Sequence, residues 1–215
     1  MSLLEAVSSV KGVKHVFISS GIRPDLIYSD EKNGMAFLKK LTLDHTSGYL
    51  KLAPEHFSNS VLKAMGKNTK ESFETVFRDF NRLCRQNNKQ QFITAYLMVG
   101  HPGEGELENS ELVENIRKFF KKKEQPVQIF TPTPATLSTT VFYTGIEPFT
   151  REKIKVLRQA KERNYFKKRA LLKAREDEQI ENNEGISQRK TGKRIRHERS
   201  TSARGTKRRR GFNKG

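Results

Sequence analysis

The sequence is short of cysteine, tryptophan and long apolar runs, and each shortage excludes something. Cys84 is the only cysteine in 215 residues, and there is no tryptophan. An internal disulfide is excluded, as is any metal site built only from thiolates of this chain. A reducing, intracellular setting is the default for such a chain, so a cytoplasmic location is expected. No run reaches the ~18 apolar residues that would span a bilayer. The start "MSLLEAVSSVKGVKHV" lacks the basic segment and long apolar stretch of a secretory signal, so no membrane association is expected. Hydrophobic residues make up 34% of the chain and charged residues 31%. That composition describes a folded part diluted by a polar part.

Acidic residues are also scarce, and unevenly so. The net charge is +18. Residues 151–215 carry 23 Lys/Arg against 8 Asp/Glu, while the first 150 residues are nearly neutral. The body therefore does not suggest a polyanion-coated surface, whereas the C-terminal third allows polyanion contact.

What is present is an alternation of short β-rich runs and amphipathic stretches. Residues 2–10 read as a short helix closed by Gly12. The β-rich runs are 13–20, 48–53, 91–99 and 127–133. Between them, 33–43, 58–66 and the stretch after Asn68 follow a helical period, and so does 106–121, with Leu107, Leu112, Val113, Ile116 and Phe120 facing inward. Ser58 is placed as an N-cap with Gly66 as the stop. Asn68 and Glu71 fit the spacing of a capping box. Phe73, Val76, Phe77, Phe80 and Leu83 form a core stripe. The rhythm predicts an α/β fold with about four parallel strands. A long charged helix is expected from Thr150 to about Glu178, and a disordered basic tail after it. The expected division is 1–149 as the folded body, 150–182 as the charged helical extension and 183–215 as the tail.

The unusual residues fall just after the β-rich runs, in "SSGIRPD", "APEHFSNS", "VGHPGEGE" and "TPTPATLST". Any one of these loops is explained by the need to turn. Four of them on the strand-end edge, where parallel βα units bind ligands, favour a shared site. Ser19, Ser20 and Arg23 suit a hydroxyl- or carboxylate-bearing ligand, although Arg23 also has an Asp nearby to pair with. Glu55 and His56 offer a carboxylate beside an imidazole. Adjacent residues share a site only through a bend, and no third metal ligand lies near them, so no metal site is expected. "GHPGEGE" lacks the Lys-Ser/Thr of a P-loop, and Glu104 and Glu106 would repel phosphate. Gly100 and Gly103 instead let backbone approach a ligand, and Glu104 can accept from its amine or hydroxyl groups. Cys84 and His15 read as structural, and His45 sits at a helix end that favours its charge.

These segments, in this order, resemble the radical S-adenosylmethionine (radical SAM) enzymes, and within them the YgiQ-like group, whose reaction is unassigned. The resemblance rests on "SGYLKLAPEHFSNSVLKAMGK" (47–67), "YLMVGHPGE" (96–104) and "FTPTPATLSTTVFYTG" (130–145), and covers about residues 3–150. It implies the later half of a (β/α) barrel of the TIM type, with strand-end loops facing S-adenosylmethionine and a [4Fe-4S] cluster. By motif position, Ser19, Ser20, Arg23 and Glu55 lie on the cofactor side. The backbone of Val99, Gly100, Pro102 and Gly103 lies under the nucleoside, with Glu104 at its edge. The family's C-x-x-x-C-x-x-C cluster motif is missing, and one cysteine cannot replace three. The resemblance therefore implies an incomplete chain, inactive alone, whose cluster comes from a missing barrel half or a cluster-bearing partner.

A second expectation comes from the tail. "RKTGKRIRHERSTSARGTKRRRGFNKG" has clustered cations and one aromatic, Phe212. Salt-sensitive, sequence-blind contact with RNA or another polyanion through residues 186–215 is expected. On that reading the protein is a non-enzymatic, nucleic-acid-associated scaffold.

Overall fold

A computed structural model describes residues 2–120 and 125–171 of the chain. Ten named elements follow one another: α1 (Ser2–Ser8), α2 (Pro24–Ser29), α3 (Gly34–Asp44), β1 (Tyr49–Glu55), α4 (Asn59–Ala64), α5 (Lys70–Gln86), β2 (Phe92–Val99), α6 (Glu106–Phe120), β3 (Val127–Ile129) and α7 (Leu137–Thr144). A further helical run, α8, is described over 160–171. The tail expected at 183–215 and the polyanion-binding stretch lie outside the described residues.

The three strands form a parallel sheet in the order β1-β2-β3. Tyr49 to Leu52 pair with Phe92 to Ala95, and Leu97 to Val99 pair with Val127 to Ile129. Burial alternates along both long strands, as the two-residue period of a strand requires. Leu50 and Leu52 of β1, with Ile93, Ala95, Leu97 and Val99 of β2, enter the core. Tyr49 and Phe92 stand on the opposite face, about half exposed, with their rings 5.8 Å apart.

The fold is thus α/β and parallel as expected, with three strands rather than four among the described residues. Residues 13–20 form no strand. β-propensity becomes a strand only where a neighbour pairs with it. Here Ile18 N–H donates to the His45 carbonyl, and only Ile22 bridges to Leu52 of β1, with Ile22 N–H to the Lys51 carbonyl at 2.9 Å and Ala53 N–H to the Ile22 carbonyl at 2.7 Å. Val13 and Phe17 are left exposed.

The helices form where the apolar spacing placed them. Phe73, Val76, Phe80 and Leu83 bury one face of α5, and Phe57 and Phe119 meet Phe73 with ring centroids 5.1 and 5.2 Å away. Phe80 is 0% exposed. The start of α5 differs from the expected capping box. Thr69 is the N-cap, while Asn68 reaches back to Ser29 Oγ at 2.7 Å. Asn59 Oδ1 accepts from Lys70 N–H and covers one of the helix's open donors. Ser58 does precede α4, but its side chain makes no capping bond. In α6, Leu112, Val113, Ile116 and Phe120 face inward, whereas Leu107 is 82% exposed. Leu107 sits in the first turn beside Glu106 and Glu108, where the chain has not yet reached the core.

The charged helix expected from Thr150 begins only at residue 160. Residues 150–159 run irregularly, held by an antiparallel bridge between Ile146 and Lys153. Leu157, Phe166 and Ala170 join the same core cluster as the sheet and α5. Arg169 of α8 bonds to Glu106 and to Ser110 Oγ of α6. This segment is therefore packed structure, and its apolar residues are spaced for that.

Candidate functional site

The C-terminal edge of β1 is built irregularly. Leu52 pairs with Ala95, but the next pairing is Glu55 with Leu97, so β1 holds one extra residue. Pro54 lies in this bulge and has no N–H for the ladder. Glu55 follows with φ +69°, a left-handed conformation that a glutamate rarely adopts. The bend separates two neighbours. Glu55 stays half-buried, and His56 turns into the interior with 0% exposure.

Around Glu55 the structure gathers Arg23, Asp25 and Lys67. Burial pushes the Glu55 carboxyl above its ordinary value, against the pull of Lys67 and Arg23. The Glu55 carboxylate makes no direct hydrogen bond or ion pair among the described residues; its attraction to the two cations acts across a gap. Burial likewise pushes the Lys67 ammonium down, opposed by the charges of Glu55 and Asp25. Lys67 Nζ donates to the Ala53 carbonyl at 3.0 Å. Asp25 is 5% exposed. Burial alone would raise its carboxyl, but the bonds and charge of Arg23, with the charge of Lys67, hold it below its ordinary value. Arg23 is committed to Asp25 through two bonds, Nε–Oδ1 at 3.2 Å and Nη2–Oδ2 at 2.5 Å.

Ser19 and Ser20 are exposed beside this cluster's first loop. Gly21 lies close against β1 and β2: a Cβ there would meet Tyr96 Cδ2 at 2.9 Å and the Ala53 Cβ at 3.3 Å. Of the predicted site residues, Arg23 and Glu55 are thus brought together. Lys67 and Asp25 join them and were missed by sequence reading. Their signals were present: Lys67 closes "KAMGK" directly after the helix stop at Gly66, and Asp25 is the partner that "RPD" offered to Arg23.

The residues Val99, Gly100, Pro102, Gly103 and Glu104 belong to a different, interior arrangement. Val99 and Glu104 are 0% exposed. Glu104 accepts from Gly100 N–H and from Asn109 Nδ2 at 2.9 Å, so both its oxygens are taken by protein donors. Its Oε1 is also 3.5 Å from His56 Nε2. His56 Nδ1 accepts the Ser58 N–H at 2.9 Å, which leaves the His56 proton on Nε2, toward Glu104. The approach that Gly100 permits is used by protein: with φ +78°, it lies under Arg163, whose Cγ and Cδ would be 2.8 Å from an added Cβ. Gly103 N–H donates to the Lys155 carbonyl at 2.8 Å. In this arrangement Glu104 ties the loop to α6 through Gly100 and Asn109.

His101 of the same loop is 2% exposed. Its Nδ1 is 2.8 Å from the Pro102 carbonyl, and its Nε2 is 2.8 Å from Ser138 Oγ of α7. Burial pushes the imidazole down to about 4; the Pro102 carbonyl and Glu104 oppose that and His56 adds to it. His45, expected at a helix end, does cap α3 and is buried, with Nδ1 2.8 Å from the Val16 carbonyl. His15 is exposed in an irregular segment and stacks on Phe17, with ring centroids 5.5 Å apart.

The donor set for an iron–sulfur cluster is not here. Cys84 is buried on α5, where burial raises its thiol above the ordinary value, and Sγ is 3.7 Å from Gln91 Oε1. No three His, Cys, Asp or Glu are gathered to hold a metal among the described residues. No helix among them is long and apolar enough to cross a membrane.

Comparison with known proteins adds two findings. Residues 124–183 match a domain of unknown function, DUF3362. A UPF0313 protein of Thermotoga maritima is 43% identical over 173 residues, covering 80% of this chain and 30% of the relative. UPF0313 protein CLJ_B0249 of Clostridium botulinum is 40% identical over 196 residues, covering 85% of this chain and 30% of the relative. A Clostridium perfringens UPF0313 protein is 42% identical over 172 residues, with 80% and 25% covered. The homologues of this chain are therefore UPF0313 proteins, and it spans less than a third of the length of each of these relatives.

Proposed function

We propose that the cluster of Arg23, Asp25, Glu55 and Lys67 binds the amino-acid part of S-adenosylmethionine in a radical SAM-type barrel half. The observation that carries this is Glu55. Its backbone is strained just after an extra residue in β1, and its carboxylate is desolvated, without a direct partner, and drawn to two cations. Strain and an unpaired, desolvated carboxylate at a strand end are kept where a ligand completes them. A zwitterionic head group does so: its ammonium meets Glu55, and its carboxylate meets Lys67 and the exposed edge of Arg23, with Ser19 and Ser20 adding hydroxyls. The half-buried residues Ala53, Tyr96 and Met98 of the same sheet face offer apolar surface for the purine.

When bound to a reduced cluster, S-adenosylmethionine supplies radical chemistry. The residues of this chain do not fit the cluster itself. The thiolates would come from polypeptide outside these 215 residues, and this chain's part is to hold and orient the amino-acid head. Equilibrium dialysis of S-adenosylmethionine against the full chain tests this. Saturable binding that weakens at least ~10-fold in Glu55→Gln is expected, the loss of one charge-assisted bond. Absent binding, or equal binding by the variant, contradicts it.

The charge count favours a second reading, in which residues 186–215 contact RNA through phosphates. Filter binding should then weaken steeply with salt, and deletion of 186–215 should abolish it. Unchanged affinity of the deleted chain at low salt would remove this reading.

A further inference from the structure

The loop motifs that the charge cluster does not use converge elsewhere. A cavity of about 420 Å³ is lined by Lys63 and Ala64 of α4, His101 and Pro102 of the β2–α6 loop, and Ser138 and Val141 of α7. Glu147 and Glu152 contribute carboxylates to the lining. The cavity shares no residue with the cluster around Glu55.

The hydrogen bonds of His101 fix its tautomer. A carbonyl only accepts, so Nδ1, 2.8 Å from the Pro102 oxygen, carries the proton. Nε2 of the neutral ring then presents a lone pair, and the Ser138 hydroxyl 2.8 Å away donates to it. The ring is further fixed by Phe130, edge-on at 4.9 Å between centroids. A hydroxyl, an imidazole taking its proton and a third group orienting that imidazole are the parts of an activated nucleophile. Here a backbone carbonyl does the orienting. Ser138 stands in the first turn of α7, where Thr136 takes the N–H groups of Thr139 and Thr140 and those of Leu137 and Ser138 are left to meet a developing oxyanion.

We propose that Ser138 is a nucleophile and His101 its general base, in an acyl-transfer site whose substrate is an ester or thioester with an apolar acyl group. Ser138 Oγ attacks the carbonyl carbon, and its proton passes to His101 Nε2. The bond from the carbonyl carbon to the leaving oxygen or sulfur breaks, and the imidazolium returns the proton to that atom. Water repeats the sequence on the acyl-serine, releasing the acid and restoring Ser138. The walls of Ala64, Val141 and Ile154 select an apolar acyl chain. The buried imidazole is a weak base whose conjugate acid is strong, so leaving groups that depart easily, a thiolate or an aryl oxide, suit it better than an alkoxide.

The full chain is treated with a fluorophosphonate, and the adduct is mapped by mass spectrometry. One adduct is expected, on Ser138 rather than Thr139 or Thr140, absent from Ser138→Ala and from the urea-unfolded chain. In His101→Gln its rate should fall ~100-fold or more. No adduct on the native chain, or equal labelling of the unfolded chain, overturns the proposal. Labelling of Ser138 that His101→Gln leaves unchanged overturns the role of His101. Because His101→Gln also alters packing, Pro102 and Phe130 are left intact and its melting transition is compared with that of the native chain. A cooperative fold with native-rate labelling counts against the proposal, and a cooperative fold with slowed labelling supports it.

Discussion

Protonating His101 should destabilise the folded chain, and the size of the effect follows from its surroundings. The ring is 2% exposed, its Nδ1 proton is committed to the Pro102 carbonyl, and Nε2 already accepts the Ser138 hydroxyl. A second proton, on Nε2, finds little solvent and requires the Ser138 hydroxyl to turn from donor to acceptor. Burial therefore holds the folded-state value at about 4 against an ordinary 6.5. Between those values the unfolded chain binds the proton more readily than the folded one. Stability from neutral His101 is fully present above about pH 6.5 and is lost as pH falls toward 4. From about pH 7 to about pH 4.5 the loss is on the order of 2.5 kcal/mol. Urea unfolding of the native chain and His101→Gln across this range isolates the effect, since groups that titrate in both proteins cancel in the difference. The native chain should lose ~2.5 kcal/mol more than the variant on acidification. Parallel stability–pH curves would refute the argument from burial and tautomer.

Two further perturbations test the packing. Phe80→Ala removes a ring that is 0% exposed and should cost ~3–5 kcal/mol in urea unfolding, whereas a loss below about 1 kcal/mol would mean that the α5 face is not the core. Gly34→Ala places a Cβ 2.1 Å from the Ile27 carbonyl oxygen, a backbone atom that cannot step aside. It should lower stability by ~1–3 kcal/mol or more, and an unchanged melting temperature would contradict the close approach of α2 and α3.

The helices and the two long strands were legible because their apolar spacing is local information. Phe73, Val76, Phe80 and Leu83 repeat on one face of α5, and Ile93, Ala95, Leu97 and Val99 alternate along β2 whatever lies around them. What failed depended on partners distant in sequence. Residues 13–20 have strand composition but only Ile22 finds β1 to pair with. Residues 150–159 read as helix by charge, yet they run irregularly, with Lys153 bridged to Ile146.

The site divided in the same way. Arg23 and Glu55 were visible as odd residues after strands, and the bulge that separates Glu55 from His56 was hinted at by Pro54. Glu104 was expected at a ligand, and the structure sets it among Gly100, Asn109 and His56. A carboxylate in a Gly-rich loop reads the same in sequence whether its acceptors are filled from inside or outside. The bond between His101 and Ser138 joins residues 37 apart in sequence, and no local pattern announces it.

The central claim is that the Glu55 cluster reads the amino-acid head of S-adenosylmethionine. Calorimetric titration of the full chain with S-adenosylmethionine and with methylthioadenosine, which keeps the nucleoside and lacks that head, tests it most directly. The account predicts that methylthioadenosine binds at least ~10-fold more weakly to the native chain, and that Glu55→Gln narrows this difference. Equal affinity for the two ligands, or a preference that Glu55→Gln leaves intact, would contradict it.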